Sequence, residues 1–289
     1  MGERRGHSEN RGMKRVAFQG ERGAFSEDAV IQFFGEVDSI ACRSLAEVFK
    51  AVTEGKASFG VVPAENSQAG SINETYDLLL KCALNIYGEV ELEVNHCLMA
   101  LPGETLESIK TVYSHPQALA QCERFLSKMN VEIVPSYDTA GSAKLVGERK
   151  LANCAAVASR RVAEIYGMEL LAENIQTIAG NYTRFFVVSK EKAEYSTDTK
   201  TSLVFATENS PGVLYHCLGA FATRGINLTK LESRPSKDRP WEYVFYVDFE
   251  GHTEDAQCSQ ALAELQGLIR FLKILGSYPK AAASGSRPR

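Results

Sequence analysis

The stretch FGVVPAENSQAGS, residues 59–71, begins as an apolar strand and ends in small, polar residues. The same transition recurs in GERGAFS (20–26), SHPQA (114–118), DTAGSA (138–143) and NYTRF (181–185). Ligands bind beyond the carboxyl ends of parallel strands, and helix N-termini there offer unpaired N–H groups. The junctions together predict one cleft that binds a small anion. At any single junction, Ser, Thr, Asn and Asp are more often ordinary helix caps.

The first 190 residues alternate short apolar strands with helical patterns. Strands are predicted at 15–19, 59–65, 109–114, 132–136, 155–159 and 184–189, with helical periodicity between them. Strands that alternate with helices indicate an α/β domain with a largely parallel sheet. We place this domain at residues 14–190 and predict a disordered tail at 1–13.

The pattern changes after a polar linker at 191–199. Residues 200–280 contain predicted strands at 201–207, 226–233, 241–249 and 273–278, and helices at 211–225 and roughly 254–272. The order β-α-β-β-α-β is that of the ferredoxin-like unit. We therefore predict a second domain at 200–280, followed by a disordered tail at 281–289.

The composition excludes several classes of protein. The chain has 289 residues with 32 Lys and Arg against 36 Asp and Glu, a net charge of −4, which argues against a nucleic-acid partner held by bulk positive charge. No apolar run reaches the roughly 18 residues of a membrane span, and no secretory signal is visible. The seven cysteines form no CxxC pair, so we expect neither disulfides nor a metal site. A cytoplasmic protein fits best, and a plastid-stroma protein whose transit peptide was removed is the alternative.

Several polar side chains at the junctions can do chemistry, and each has an ordinary alternative. Glu65 can act as a general acid or hold a substrate hydroxyl, although a Glu at a strand end is more often solvated. Gln117 and Gln121 share one flank of a helix, so both amides could face a cleft. His115 begins that helix, where the helix dipole disfavours its charged form.

Thr183 and Arg184 lead into a strongly apolar strand. Thr183 has no base beside it in the sequence, which favours a hydrogen-bond donor over an activated nucleophile. Arg184 can pair with a substrate carboxylate or make a structural ion pair. The residues alone leave both alternatives open.

Most of the chain resembles the prephenate dehydratase family and its arogenate dehydratase relatives. The segments are GERGAFSEDAV, VVPAENSQAGSINETYDLLL, VYSHPQALAQCERFL, AAVASRRVAEIYG and NYTRFFVV, in the family's order. The segment INLTKLESRPSKDRPWEYVFYVDFEGH is similar to the family's C-terminal ACT regulatory module. The resemblance implies a two-lobed α/β catalytic domain like a type II periplasmic binding protein, with its second lobe at about 113–183, and a ferredoxin-like ACT domain.

The resemblance also implies a reaction and its residues. Prephenate would lose water and carbon dioxide to give phenylpyruvate, or arogenate would give L-phenylalanine. The aromatic product provides the driving force, so no cofactor is expected. The implied catalytic residues are Thr183, Glu65, Asn66 and Gln121. The implied substrate-binding residues are Ser67, Ala24, Phe25, Ser114, His115, Thr139, Arg184 and Phe185.

The ACT resemblance implies allosteric regulation by L-phenylalanine. The implied effector contacts are Gly212, Val213, Leu214, Asn227, Leu228, Glu232, Ser233 and Arg234. The ESRP segment is intact, whereas GVLY replaces the family's usual GALV, which would permit activation instead of inhibition. Effector sites between paired modules imply a homodimer or homotetramer. The alternative function is a non-catalytic sensor that binds a small anion or phenylalanine with the same cleft and module.

Overall fold

A computed structural model describes residues 14–236 and 243–281. Its strands are β1 (Arg15–Gln19), β2 (Asp38–Cys42), β3 (Phe59–Asn66), β4 (Gly70–Ser71), β5 (Asn85–Glu93), β6 (Cys97–Ala100), β7 (Thr111–Ser114), β8 (Glu132–Pro135), β9 (Cys154–Ala158), β10 (Glu169–Ala172), β11 (Tyr182–Ser189), β12 (Thr199–Ala206), β13 (Leu228–Pro235), β14 (Tyr243–Glu250) and β15 (Phe271–Pro279). Its helices are α1 (Phe25–Phe34), α2 (Leu45–Thr53), α3 (Asn73–Lys81), α4 (Pro116–Gln121), α5 (Glu123–Leu126), α6 (Thr139–Arg149), α7 (Arg160–Tyr166), α8 (Val213–Ala222) and α9 (Ala256–Gln266). The tails predicted at 1–13 and 281–289 lie outside the described residues, except for Ala281.

The first lobe is built on a sheet of order β2-β1-β3-β11-β5, with β4 paired to β3. Strands β2, β1 and β3 are parallel, as predicted, because helical crossovers join them. Strand β11 returns from the second lobe and pairs antiparallel with both β3 and β5. This insertion is the arrangement of type II periplasmic binding proteins, so the predicted two-lobed fold is confirmed.

The second lobe has the strand order β10-β6-β9-β7-β8. The chain enters this lobe through residues 94–96 and leaves it through residues 173–181. The family resemblance implied boundaries near 113 and 183. The difference arises at β6, because its four residues are all buried and such a short apolar run has no periodicity that identifies a strand.

The C-terminal domain has the predicted β-α-β-β-α-β order, folded as an antiparallel sheet β13-β14-β12-β15. Helices α8 and α9 cover one face of this sheet, where Phe221 and Leu265 pack against Leu203 and Phe249. We name it the regulatory sheet, after the module that it resembles. The opposite face packs on the first lobe. No helix in the described ranges is long and apolar enough to cross a membrane.

The regulatory sheet and the first lobe share one hydrophobic core. Val204 and Tyr246 of the sheet belong to the same buried cluster as Phe186 of β11. The approach is closest at Gly276, where a Cβ atom would lie 2.2 Å from the carbonyl oxygen of Ile86. The absence of a side chain at this position therefore allows β15 to lie against β5.

Lys273 makes a polar contact at the same interface. Its Nζ donates to the carbonyl oxygens of Leu79 (2.7 Å), Leu80 (3.0 Å) and Cys82 (2.7 Å), at the C-terminal end of α3. The last carbonyls of a helix have no partner within the helix, and a cation there also interacts well with the helix dipole. The regulatory sheet is thus held to the first lobe by both apolar and charged contacts.

Candidate active site

A cleft of about 910 Å³ lies between the two lobes. The first lobe contributes the ends of β1, β2 and β3 and the start of α1, and the second lobe contributes the starts of α4 and α6. The crossing segments contribute His96 and Asn181. Five of the predicted substrate-binding residues line this cleft, namely Ala24, Phe25, His115, Thr139 and Phe185.

Asn66 and Thr183 are paired across β3 and β11, and both line the cleft. Asn66 Oδ1 accepts the backbone N–H groups of Gln68 (3.1 Å) and Ala69 (3.0 Å), which orients its amide group. Asn66 Nδ2 then donates to Thr183 Oγ1 at 3.0 Å and to Asn181 Oδ1 at 2.7 Å. Because Thr183 Oγ1 accepts this bond, its own proton remains available for donation into the cleft.

Gln121 lies at the end of α4 and also lines the cleft. Its Oε1 lies 2.8 Å from His96 Nε2, and because an amide oxygen only accepts, the proton of this bond is on Nε2. His96 is 2% exposed, and its Nδ1 has no hydrogen-bond partner among the described residues. Burial lowers the pKa of His96, and the hydrogen bond that it donates to Gln121 offsets only part of this effect. His96 is therefore neutral at pH 7 and holds the Gln121 amide in place.

We expect the fold to lose stability through His96 as the pH falls. Since the folded-state pKa of His96 is below its ordinary value of 6.5, the unfolded chain binds more protons below that pH. The free energy of unfolding should decrease as pH drops from about 7.5 to about 5.5, and the His96→Asn variant should show a smaller decrease. Urea denaturation at both pH values measures this, with the exposed His216 changed to Asn as the control. Equal decreases in the wild type and His96→Asn would contradict the prediction.

Helix α1 presents its N-terminus to the cleft through Ala24, Phe25 and Ser26. In the described part of the chain, no side chain caps this helix. The first N–H groups of a helix have no partner within it and carry a partial positive charge. This end of α1 can therefore bind a carboxylate.

Helices α4 and α6 begin at the cleft with their own side-chain caps. Asp138 Oδ2 accepts the N–H of Gly141 at 3.2 Å, and His115 Nδ1 accepts the N–H of Gln117 at 3.2 Å. The capping alternative raised by the sequence thus holds at both junctions. Thr139, the first residue of α6, still lines the cleft.

Ion pairs join the lobes at the α1 side of the cleft. Arg161 of α7 pairs with Glu27 and, at 2.6 Å, with Asp28 Oδ1. Lys144 of α6 pairs with Glu21 at 2.9 Å. The Lys144 charge offsets that of Glu21, which lines the cleft, so Glu21 opposes an anionic ligand less than a lone carboxylate would.

Glu65 does not line the cleft, although it precedes Asn66 directly. Successive side chains of a strand point to opposite faces, so Asn66 faces the cleft and Glu65 faces the regulatory sheet. Glu65 Oε2 there accepts a hydrogen bond from Lys230 Nζ at 3.1 Å. Glu65 was expected to be a catalytic group in the cleft, and this placement corrects that expectation.

Arg184 is turned away from the cleft for the same reason. Its guanidinium donates to Glu89 Oε2 at 2.7 Å, to Asp248 Oδ2 at 2.6 Å and to Tyr278 OH at 2.9 Å. The side chains of Glu89 and Asp248 are 1% and 3% exposed, so these are buried ion pairs. The structural alternative for Arg184 holds, and its expected contact with substrate is corrected.

Ser114 and Ser67 are also outside the set of residues that line the cleft. Ser114 is fully buried and donates to the carbonyl oxygen of Val157 at 2.6 Å. Ser67 is exposed and accepts the N–H of Tyr182 at 2.9 Å. Both hydroxyl groups stabilise the backbone around the site, which corrects their expected contact with substrate.

Two cleft residues that hydrogen-bond to predicted catalytic residues were not singled out from the sequence. Asn181 lies two residues before Thr183, and it was quoted only as part of the NYTRF segment. The spacing of two residues was an available signal, because it places both on one face of an extended segment. His96 lies in the crossing segment between β5 and β6, and no local pattern marks it.

A second cavity, of about 350 Å³, lies in the regulatory domain. The predicted effector residues Gly212, Val213 and Leu214 line it together with residues 207–210, Tyr215, Tyr243 and Phe245. The other predicted effector residues lie outside it, on β13 or just before that strand. These are Asn227, Leu228, Glu232, Ser233 and Arg234. Within one chain, the two parts of the predicted effector site are therefore separate.

Two of those β13 side chains turn toward the first lobe. Glu232 Oε2 accepts a hydrogen bond from Ser71 Oγ of β4 at 2.5 Å and also pairs with Lys230 at 3.1 Å, and Arg234 pairs with Asp77 of α3 at 3.2 Å. Asn227 Nδ2 donates to Glu250 within the regulatory domain at 3.3 Å. Glu232 and Arg234 were expected to contact the effector directly. Within a single chain this expectation is corrected, because their charged groups are already paired with these partners.

Both domains of the chain match known protein families. The prephenate dehydratase family matches residues 16–193, and the ACT domain family matches residues 201–267. The chain belongs to the prephenate dehydratase family. This family member is 45% identical over 283 residues to "Arogenate dehydratase/prephenate dehydratase 6, chloroplastic" of Arabidopsis thaliana, a match that covers 92% of this chain and 68% of that protein.

Two solved structures match this prephenate dehydratase family member over nearly all of its length. The prephenate dehydratase in complex with L-Phe from Arthrobacter aurescens has a TM-score of 0.83 at 32% identity, covering 95% of this chain and 92% of that one. A protein described as GqqA, a novel type of quorum quenching acylase, has a TM-score of 0.86 at 35% identity, covering 94% of this chain and 100% of that one. One fold can carry different activities, so the residues of the site must identify the reaction.

Proposed function

We propose that the chain is a carbon–oxygen lyase that converts prephenate to phenylpyruvate, or arogenate to L-phenylalanine. In either reaction the ring carboxylate leaves as carbon dioxide, and its electron pair moves through the ring to expel the hydroxyl group. The observation that carries this proposal is the Asn66–Thr183 pair at the cleft, joined by a hydrogen bond of 3.0 Å. A fixed donor aimed at a leaving oxygen supplies what the reaction requires.

Thr183 donates a hydrogen bond to the departing hydroxyl group in this mechanism, keeps its own proton, and so stabilises a hydroxide that takes up its second proton from solvent. Asn66 supports that donation, because its Nδ2 occupies a lone pair of Thr183 Oγ1 and leaves the hydroxyl proton to the substrate. Gln121 Nε2 donates to a second polar group of the substrate, since Gln121 Oε1 is bound to His96. These groups are neutral, so none of them holds the departing carboxylate so firmly that the ground state is stabilised.

The uncapped N-terminus of α1 binds the carboxylate that the product retains. Phe25 and Ser26 provide backbone N–H groups in the cleft, with the favourable dipole of a ten-residue helix behind them. A partial charge of about one half suits this task, because it holds an anion without a fully charged side chain.

We propose that L-phenylalanine regulates the enzyme at the ACT domain and that the protein is a homodimer or homotetramer. Two observations support this: the predicted effector residues on α8 and β13 lie apart within one chain, and a structural neighbour was solved with L-Phe. A second subunit would bring β13 of one chain to the cavity of the other. Sedimentation with and without L-phenylalanine tests this, and a monomer that binds phenylalanine would contradict it.

We propose the cytoplasm or the plastid stroma as the location. The name of the Arabidopsis relative includes "chloroplastic", which supports the plastid. The lack of a CxxC pair among the seven cysteines supports a reducing compartment in either case. Fractionation of the source cells with an antibody to this chain distinguishes the two.

A paired assay tests the reaction. Purified protein is incubated separately with prephenate and with arogenate, and phenylpyruvate and L-phenylalanine are quantified. A preference for prephenate would assign a prephenate dehydratase, and a preference for arogenate an arogenate dehydratase. Turnover of neither substrate, together with tight phenylalanine binding, would replace the proposal with the sensor alternative.

A further inference from the structure

The regulatory sheet contacts strands β3 and β11 directly behind the two cleft residues. The register pairs Asn66 with Thr183 and Glu65 with Arg184. The first pair faces the cleft, and the second faces the regulatory sheet. Since neighbouring residues share a planar peptide unit, a displacement of the second pair also displaces the first.

On the β11 side, Arg184 is held by buried groups of the regulatory sheet. Asp248 Oδ2 accepts from Arg184 Nη1 at 2.6 Å, and Tyr278 OH lies 2.9 Å from Nη2. Ser202 Oγ connects these two partners, at 2.6 Å from each. This part of the contact is fixed, because Ser202 joins the two partners of Arg184 by hydrogen bonds.

On the β3 side, Lys230 of the regulatory sheet contacts two catalytic-domain segments. Lys230 Nζ lies 3.1 Å from Glu65 Oε2 on β3 and 2.7 Å from Ser71 Oγ on β4. The Lys230 side chain is only 8% exposed. Ser71 pairs with Glu65 in the sheet and lines the cleft. Lys230 therefore contacts the cleft wall from behind through two neighbouring residues.

Lys230 lies on the strand that also carries predicted effector residues. Strand β13 is at the edge of the regulatory sheet and bears Lys230 together with Glu232, Ser233 and Arg234. Glu232 pairs with Lys230 at 3.1 Å. An edge strand is paired on one side only, so a ligand or a second subunit that binds β13 can shift it with less disruption than a central strand.

We propose that Lys230 is a positioning residue of the dehydratase reaction: through Glu65 it sets the alignment of Asn66 with Thr183, and effector binding on β13 changes turnover by moving Lys230. This inference depends on the proposed function for its kinetic consequences. Its structural part, a connection from β13 to β3 and β4, stands on the contacts of Lys230 with Glu65 and Ser71 alone.

The test uses the full chain with the variant Lys230→Met, which keeps an unbranched side chain one atom shorter and removes the charge. We expect kcat to fall about tenfold while KM changes less than about twofold, because alignment in the transition state is lost and substrate binding is not. L-Phenylalanine should still bind by calorimetry but should alter turnover much less than in the wild type. Lys230→Arg should restore most of kcat.

A double-mutant cycle asks whether Lys230 acts through Glu65. If it does, Glu65→Gln should lower kcat as Lys230→Met does, and the double variant should be no worse than the worse single variant. Lys280→Met is the matched control, because Lys280 pairs with Glu250 at 2.9 Å and with Asp198 at 3.2 Å, away from the cleft. This control should have wild-type kinetics.

Three results would overturn the inference: wild-type kcat and phenylalanine response in Lys230→Met, an effect on KM alone, or multiplying effects in the double variant. Hydrogen exchange separates this inference from the proposed function. Amides of residues 59–66 and 182–189 should exchange faster in Lys230→Met than in the wild type, even if the protein turns over neither substrate. Unchanged exchange in both segments would overturn the structural part as well.

Discussion

Changing Thr183 to Val should reduce kcat by about 10²–10³-fold, which corresponds to the roughly 2.7–4 kcal/mol that one well-placed donor contributes. The variant removes the only hydrogen bond that Thr183 can donate to the leaving hydroxyl group. The fold should remain intact, because Asn66 Nδ2 still has Asn181 Oδ1 at 2.7 Å and the carbonyl oxygen of Tyr182 at 3.2 Å as acceptors. Steady-state kinetics with the preferred substrate gives kcat, and circular dichroism checks the fold.

Thr183→Ser is the matched variant, because it keeps the hydroxyl group and removes only a methyl group. We expect its kcat to stay within about tenfold of the wild type, the loss reflecting a less restricted side-chain rotamer. If Thr183→Val turned over substrate at nearly the wild-type rate, another group would have to donate the hydrogen bond to the leaving oxygen. An equal, large loss in both variants would instead indicate that packing of the methyl group is what matters.

The elements that could be predicted from the sequence are those whose pattern is local. The β-α-β-β-α-β order of residues 200–280 is visible because Pro211 and Gly225 flank one helix and apolar strands follow at regular spacing. Strand β5 was not predicted, since Glu89 interrupts its apolar pattern. The side chain of Glu89 is 1% exposed because Arg184 and Lys200 neutralise it, at positions 95 and 111 residues further along the chain. No local pattern contains that information.

In the candidate site, too, a local pattern does not contain the information that long-range pairing supplies. The motif that contains Glu65 and Asn66 marks both as polar residues at a strand end, but a strand directs them to opposite faces. Which of the two faces the cleft depends on the pairing of β3 with β11, which joins residues far apart in the chain, as for Asn66 and Thr183, 117 positions apart. Asn66, Thr183 and Gln121 are brought to one cleft by that pairing and by the lobe crossing.

Changing Arg184 to Met should lower the free energy of unfolding by about 3–5 kcal/mol, the range found when one partner of a buried ion pair is removed. The variant leaves the carboxylates of Glu89 and Asp248 buried without their main counter-charge. Arg160→Met is the control, because Arg160 and Glu173 form an ion pair whose side chains are 63% and 43% exposed. Such an exposed pair contributes only about 0–1 kcal/mol. Urea denaturation of the three proteins at about pH 7 gives the comparison.

The loss of stability in Arg184→Met should depend on pH in a way that identifies its cause. In the wild type, burial raises the pKa of Glu89, but Arg184 and Lys200 outweigh this effect and hold it below its ordinary value. The stabilisation that the Glu89 carboxylate gives the folded wild type is thus present above about pH 4.5, and it is lost as the pH falls through the lowered pKa. Without Arg184, burial dominates and the pKa of Glu89 rises, so the folded variant takes up a proton that stabilises it. The difference in the free energy of unfolding between variant and wild type should therefore be smaller at about pH 5 than at about pH 7. A difference that is the same at both pH values would mean that the loss comes from packing around the Met side chain, and not from the buried charges.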